Sequence, residues 1–453
     1  MIQDTTNTVA HNKTIPPRIR TKPSSSIACR VAASPKGGMA CRDAKLVITL
    51  LLLIFILALS RLAKAENWPA WRGPRGDGTS IEKNIPVEWS NTQNVLWKTP
   101  LPGKGHASPI VWEDRVFLVT AIEQSSERLL LALDRTDGKI TYQKVVLVAP
   151  FERIHNLNSH ASSTPATDGQ RIYLSFLDRD KMFVAAYDLE GNILWEVRPG
   201  PFASMHGYCS SPILWNDKVI VNGDHDGPAY IVALDNKTGK TIWKTPRLNN
   251  TRSYCAPIIR RISDRNQLIL SGSKCVASYD PDTGKQHWII DGPTEQYVAS
   301  LVYNGEVLFM TCGFPDHYIQ LIDPTGTGNV TNTHVVFQTD QDCSYVPSPI
   351  AEGEYFLVVS DTGVATCCDG KTGRAYWRQR LDGRHSASLV SAEGLVYFTS
   401  DKGQTTVVKP GPEFNLVATN NLNEKIDASP AISSGRMYIR TWSHLYCIAN
   451  PQK

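Results

Sequence analysis

LDNKTGKTIW at 234–243, YDPDTGKQHW at 279–288 and CDGKTGRAYW at 368–377 are one short pattern written three times. In each, an apolar or small residue and an Asp close one run, a Thr-Gly pair follows, and a second run reaches a Trp. Asp and Gly suit a tight turn in which one residue needs positive φ. The pattern therefore predicts a hairpin between two strands. LDRTDGKITY at 133–142 and YDLEGNILW at 187–195 are looser versions of it.

Each hairpin lies downstream of a small residue and Pro that open an alternating apolar strand. Ser108-Pro109, Thr164-Pro165, Ser211-Pro212, Ala256-Pro257, Ser348-Pro349 and Ser429-Pro430 carry this landmark, while Ser300-Leu301 and Ser388-Leu389 keep Ser and replace Pro with Leu. The successive intervals are 56, 47, 45, 44, 48, 40 and 41 residues. A chain of 453 residues would by length alone suggest about three domains. Eight copies at one period mean an array instead. Between landmark and hairpin runs a second strand, such as RVFLV at 115–119 or KVIV at 218–221. Four short antiparallel strands every 45 residues or so make one blade, so the chain is predicted to be an all-β, eight-bladed β-propeller.

The two ends of the array support this. The eighth copy, 427–450, offers three strands and no Trp strand, whereas NVLWKTPLPG at 94–103 is a Trp strand with no copy before it. Residues 94–99 are therefore predicted to complete the eighth blade, which hides two sheet edges that would otherwise invite aggregation. Trp97, Trp195, Trp243, Trp288 and Trp377 are the expected docking tryptophans of the ring.

The chain is 42% hydrophobic and 20% charged, enough to bury a large core. Residues 1–45 depart from this, being basic, polar and without apolar periodicity. The run LVITLLLLIFILALS at 46–60, preceded by Arg42 and Lys45 and followed by Ala63-Lys64-Ala65, has the three parts of a secretory signal. At fifteen residues it is short of the roughly 20 a bilayer span needs, so no stable transmembrane anchor is expected. Met39 is an alternative start that gives the signal an ordinary length. The expected organisation is a leader at 1–45, the signal and cleavage site at 46–65, a lead-in at 66–92 and the propeller at 93–453, with a periplasmic or secreted product cut near Ala65. A formal net charge of +4, part of it in the leader, makes no case for nucleic acid.

The turn and Trp strand at 235–243, 280–288 and 369–377 resembles the tryptophan-docking repeat of pyrroloquinoline quinone (PQQ) enzymes. It is equally similar to the PQQ-like repeats of non-enzymatic relatives, among them the propeller lipoprotein of the outer-membrane assembly machinery. The lead-in WPAWRGPRGDG at 68–78 resembles the start of secreted, planctomycete-type propellers. The resemblance covers nearly all of 66–453 and implies the quinoprotein alcohol dehydrogenase-like fold; it spans enzymes and binding modules alike.

Residues just before each landmark are expected at one mouth of the central channel. They are His106, His160, Tyr208, Tyr254, Tyr297, Tyr345, His385 and Asp427, a polar and aromatic set suited to a planar or sugar-like ligand. Three His on three blades do not define a metal site, and none is assigned. Trp68 and Trp71 are read as aromatic anchors of the lead-in, with sugar stacking as the other reading. The adjacent Cys367 and Cys368 invite comparison with the vicinal disulfide of the resembled dehydrogenases. They sit on a predicted strand, however, where neighbours point to opposite faces, and are expected as half-buried free thiols.

The first functional expectation is a monomeric binding or scaffold propeller for a protein or glycan partner, which needs no cofactor. The alternative is a PQQ-dependent dehydrogenase of alcohols or sugars, which the resemblance would equip with PQQ and calcium. Near-uniform repeat intervals leave little chain for the insertions that build such an active site, so the sequence assigns no catalytic residue.

Overall fold

Runs such as RVFLVTAI (Arg115–Ile122) and ERLLLALD (Glu127–Asp134) are buried almost throughout, while the strand after them, Ile140–Val148, exposes most of its residues. A sheet covered on both faces needs continuous apolar strands, and only its outermost strand can alternate. The computed structural model describes residues 65–451 and shows that arrangement eight times over. The blades span 110–148, 166–197, 213–246, 258–291, 302–339, 350–380 and 390–421, and the eighth is 431–449 joined by Val95–Pro100. The predicted leader and apolar signal segment lie outside the described residues. No described helix is long and apolar enough to cross a membrane.

The ring closes as the chain ends implied. Val95–Pro100 pairs antiparallel with His444–Ala449, and innermost strand Ile110–Trp112 of blade 1 lies beside Ala431–Ser433 of blade 8. Each docking Trp reaches the next blade. The indole N–H groups of Trp97, Trp195, Trp243, Trp288 and Trp377 donate to the carbonyls of Arg135, Asn236, Pro281, Pro324 and Gly411, one or two residues past the strand end that opens each neighbouring turn. The turn glycine lies under the ring: a Cβ on Gly284, at φ +73°, would stand 2.6 Å from the Trp243 indole. Conformation and contact both require Gly there. Blade 1 uses Tyr142 in place of Trp, donating to the Leu189 carbonyl.

The landmark Ser is a ring lock. Backbone N–H groups of Ser108, Thr164, Ser300, Ser348 and Ser388 donate to the hydroxyls of Thr164, Ser211, Ser348, Ser388 and Ser429 on the next blade, at 2.8–3.0 Å. The ladder is absent at three of the eight joints: between blades 4 and 5 the Ser300 hydroxyl donates to the Ala256 carbonyl instead, and a buried Arg stands at each of the other two. Between blades 3 and 4, where Ala256 has no hydroxyl, Arg247 pairs with Asp224. Between blades 8 and 1, Arg440 donates to the carbonyls of Ala107 and Val119.

All eight cysteines among the described residues are free, and only Cys209 is not fully buried. Cys367 and Cys368 pack into separate clusters on opposite faces of blade 6. Both are fully buried, not half-buried, because neighbouring blades cover both faces of their strand. Burial pushes their thiols up to about 11 and about 12, and that of Cys209 to about 12. The thiolate is the reactive form, so alkylation at pH 8 is expected to modify none of the eight quickly in the native protein and all eight in denaturant. Rapid native labelling of any of them, read by mass spectrometry, would contradict this packing.

Candidate functional site

The propeller axis is a funnel open at the end where the innermost strands begin. The other end is crossed by the lead-in. Trp68 exchanges backbone hydrogen bonds with Val111 on blade 1, and Pro69 accepts from Thr167 on blade 2. Arg72 donates to Ser348 and Pro349 carbonyls on blade 6, and Thr79–Ser80 pairs with blade 7. Trp68 is 1% exposed, a true anchor. Trp71 differs: it lines the cavity, half-buried, and its indole N–H donates to Ser300 Oγ at 3.3 Å. It forms part of the funnel floor.

Above this floor lies a cavity of about 300 Å³, within the range of small-ligand sites. Its lower wall carries Ser211, Ser300, Ser348, Ser388 and Ser429. Of the eight expected mouth residues, His106, Tyr254, Tyr345 and Asp427 line this cavity. His160 lines a smaller cavity of about 130 Å³ beside it. Tyr208, Tyr297 and His385 are buried in the walls, where the hydroxyls of Tyr208 and Tyr297 donate to Ser175 Oγ and the Gly292 carbonyl.

Several lining residues had no place in the repeat. The connector 149–160 between blades 1 and 2 brings His155, Leu157 and Asn158 to the mouth. Arg128 pins its base through Glu152 Oε2 at 2.6 Å and the face of Phe151, which stacks on His160 at 4.1 Å. The next connector brings His206. Its carbonyl accepts from His155 N and Asn158 Nδ2, and the two imidazoles meet edge to face at 5.1 Å. Hairpin tips add Phe314 on blade 5, which lines the main cavity, and Trp442 on blade 8, which lines the side cavity. The one signal in the sequence was the 56-residue interval, the longest of the set, which holds the first connector.

The lining residues include no Lys or Arg. Their one carboxylate, Asp427, is already engaged: His106 Nε2 stands 3.4 Å away, Lys425 Nζ 3.2 Å, and the Trp442 indole donates to it. Burial pulls the His106 imidazole below its usual range against the attraction of Asp427, and burial with the charge of Arg252 does the same to His206. Both rings are thus held neutral near pH 7, able to donate and accept. Gln296, 1% exposed, accepts from the Tyr345 hydroxyl at 3.3 Å and leaves its buried Nε2 without a partner at the cavity wall. Among the described residues, no group of three His, Cys, Asp or Glu could hold a metal ion.

The family described as outer membrane protein assembly factor BamB matches the chain in overlapping stretches at 87–196, 153–256, 228–335 and 276–410. The chain belongs to this PQQ-like propeller family. Among solved structures, the PQQ-like propeller is similar to quinohemoprotein alcohol dehydrogenase from Comamonas testosteroni, at 11% identity and TM-score 0.62, covering 85% of this chain and 81% of that one. It is similar to BamB from Moraxella catarrhalis at 13% identity and TM-score 0.56, covering 79% and 98%. A europium-containing methanol dehydrogenase aligns at 12% identity and TM-score 0.62, covering 85% and 98%. Identities this low establish the shared fold alone. A comparison with curated proteins gives no match.

His385 gives the PQQ-like propeller a pH dependence. Its buried Nδ1 has no partner, and burial lowers the imidazole from 6.5 to about 4. A base whose folded pKa is depressed favours folding above its unfolded value, and that contribution is lost as pH falls from 6.5 toward 4. The loss amounts to roughly 3 kcal/mol. Urea midpoints taken from pH 7 to pH 4 are expected to fall more steeply for the wild type than for His385→Asn; parallel slopes would remove His385 from the acid sensitivity.

Proposed function

We propose that this PQQ-like propeller is an extracytoplasmic binding module whose funnel takes an uncharged, hydroxyl-rich ligand, the end of a glycan. The observation that carries this is a neutral lining: serine hydroxyls, a buried amide with a free donor and neutral imidazoles surround an aromatic floor, with no cation among them. Sugar C–H faces stack on indole and phenol rings, while their hydroxyls pair with groups that donate and accept. The secretory-type leader supports an extracytoplasmic setting.

The same lining does not fit PQQ. That quinone bears three carboxylates, which call for Arg, Lys or a bound cation, and the lining offers none of these residues and one engaged carboxylate. No redox step is therefore derived.

The test is calorimetric titration of the purified protein with neutral oligosaccharides and, separately, with PQQ and calcium, the latter followed by a dye-reduction assay on alcohols. Saturable sugar binding without quinone binding is the expected result. Stoichiometric PQQ binding with dye reduction would replace the binding module by a dehydrogenase. A protein partner is the second reading, favoured by Met205, Leu248, Phe314 and Trp442, which stand exposed on connectors and hairpin tips at the mouth end. It would gain from a partner whose binding is lost on Leu248→Asp.

A further inference from the structure

The funnel does not end at its rim. Its wall residues His106 and Asn158 also line the side cavity of about 130 Å³, so the two spaces share a boundary of two side chains. The side cavity runs under the pinned connector 149–160, between Trp442 on the hairpin tip of blade 8 and Lys104 and Glu123 on blade 1. Trp442 is held in place, its indole N–H on Asp427 and its face covered by Lys425 Nζ at 4.0 Å, yet it remains 43% exposed. An aromatic side chain fixed by a polar network, beside a cavity that joins a deeper one, is a second platform rather than a loose surface residue.

We infer that the site has two subsites and takes an oligosaccharide: the terminal sugar sits in the funnel on the Trp71 side, and the next unit passes His106 and Asn158 into the side cavity against Trp442. This rests on the glycan reading of the funnel and adds to it the length of the ligand and the direction of its chain. A single-sugar receptor would have no use for the second space. Asn156, Asn158 and Ser159 among the walls of the side cavity offer hydrogen-bonding partners for a hydroxylated unit beside the Trp442 ring.

The experiment is titration calorimetry of the intact protein with malto-, cello- and chito-oligosaccharides of one to four units, comparing wild type with Trp442→Ala and Glu123→Gln. Both changes fall on exposed tips, and unchanged melting temperatures check that the ring is intact. In at least one series, affinity should rise on the order of tenfold from one unit to two and then level off. Trp442→Ala should remove about three- to tenfold of affinity from two units and longer, leaving the single sugar within about twofold. Glu123→Gln, which touches only the side cavity, should also spare the single sugar. Binding with no dependence on length, or an equal loss for all lengths in Trp442→Ala, overturns the second subsite while leaving the glycan reading intact. No sugar binding at any length overturns both, and length-dependent binding of uncharged peptides instead would replace the sugar by a polypeptide.

Discussion

Asp224→Ala is expected to cost about 3–5 kcal/mol of stability, because it leaves a guanidinium buried without its counter-charge. Arg247 and Asp224 are 1% and 0% exposed, joined through Nε–Oδ1 at 2.9 Å and Nη2–Oδ2 at 3.1 Å. Ser253 Oγ donates to Asp224 Oδ2, and Arg247 also donates to the Tyr279 hydroxyl and the Gly272 carbonyl. The pair thus ties blade 3 to blade 4 at the joint where Ala256 interrupts the hydroxyl ladder. Breaking a buried pair and replacing it whole have different consequences, since the second removes both desolvated charges. The double change Asp224→Leu with Arg247→Met is therefore expected to recover a large part of the loss. Chemical denaturation of the three proteins measures this. A loss below about 1 kcal/mol for Asp224→Ala would show that water reaches the pair and that the joint is held by the neighbouring strands alone.

Trp288→Ala should be of similar size, about 3–5 kcal/mol, the range for removing a large aromatic side chain from a packed core. Trp288 is 0% exposed, and its indole N–H donates to Gln267 Oε1 at 2.7 Å and the Pro324 carbonyl at 3.1 Å. The same motif position in blade 6, Trp377, is only half-buried. The difference has a local cause. Residues Gly328–Asn329, inserted before the last strand of blade 5, pair in parallel with Trp288 and Ile289 and cover the outer edge of blade 4. Trp377→Ala is accordingly expected to lose much less, and equal melting shifts for the two variants would contradict this role of the covering strand.

These contrasts show what could be read in advance. The turn motif announces its own hairpin because Asp, Thr and Gly act on backbone within a few residues, and the landmark hydroxyl repeats because five of the eight joints use the same lock. Ring closure was legible from the unpaired Trp97 strand. The mouth was legible only in part. His106, Tyr254, Tyr345 and Asp427 sit at the start of innermost strands, where the period places them, whereas Tyr208, Tyr297 and His385 occupy the same register and turn into the walls. A rotation of side chains at one register cannot be seen in spacing. His155, His206, Phe314 and Trp442 lie in connectors and hairpin tips, which vary freely between blades and carry no periodic signal. Trp71 was visible as an aromatic of the lead-in, but its place at the channel floor depends on where blades 5 to 7 meet that segment.

The closing pair Val95–Pro100 and His444–Ala449 joins segments almost a whole propeller apart in sequence. At a synthesis rate of roughly 5–20 residues per second, the first strand emerges on the order of tens of seconds before its partner exists. Through that time the nascent ring is an open arc with two bare edges, and the last step of folding must bridge a very long loop, which makes it slow. Maturation is thus timed by the emergence of the strand His444–Ala449: a ribosome that stalls or a protease that cuts near residue 440 leaves an arc prone to aggregation, not a slightly shorter propeller.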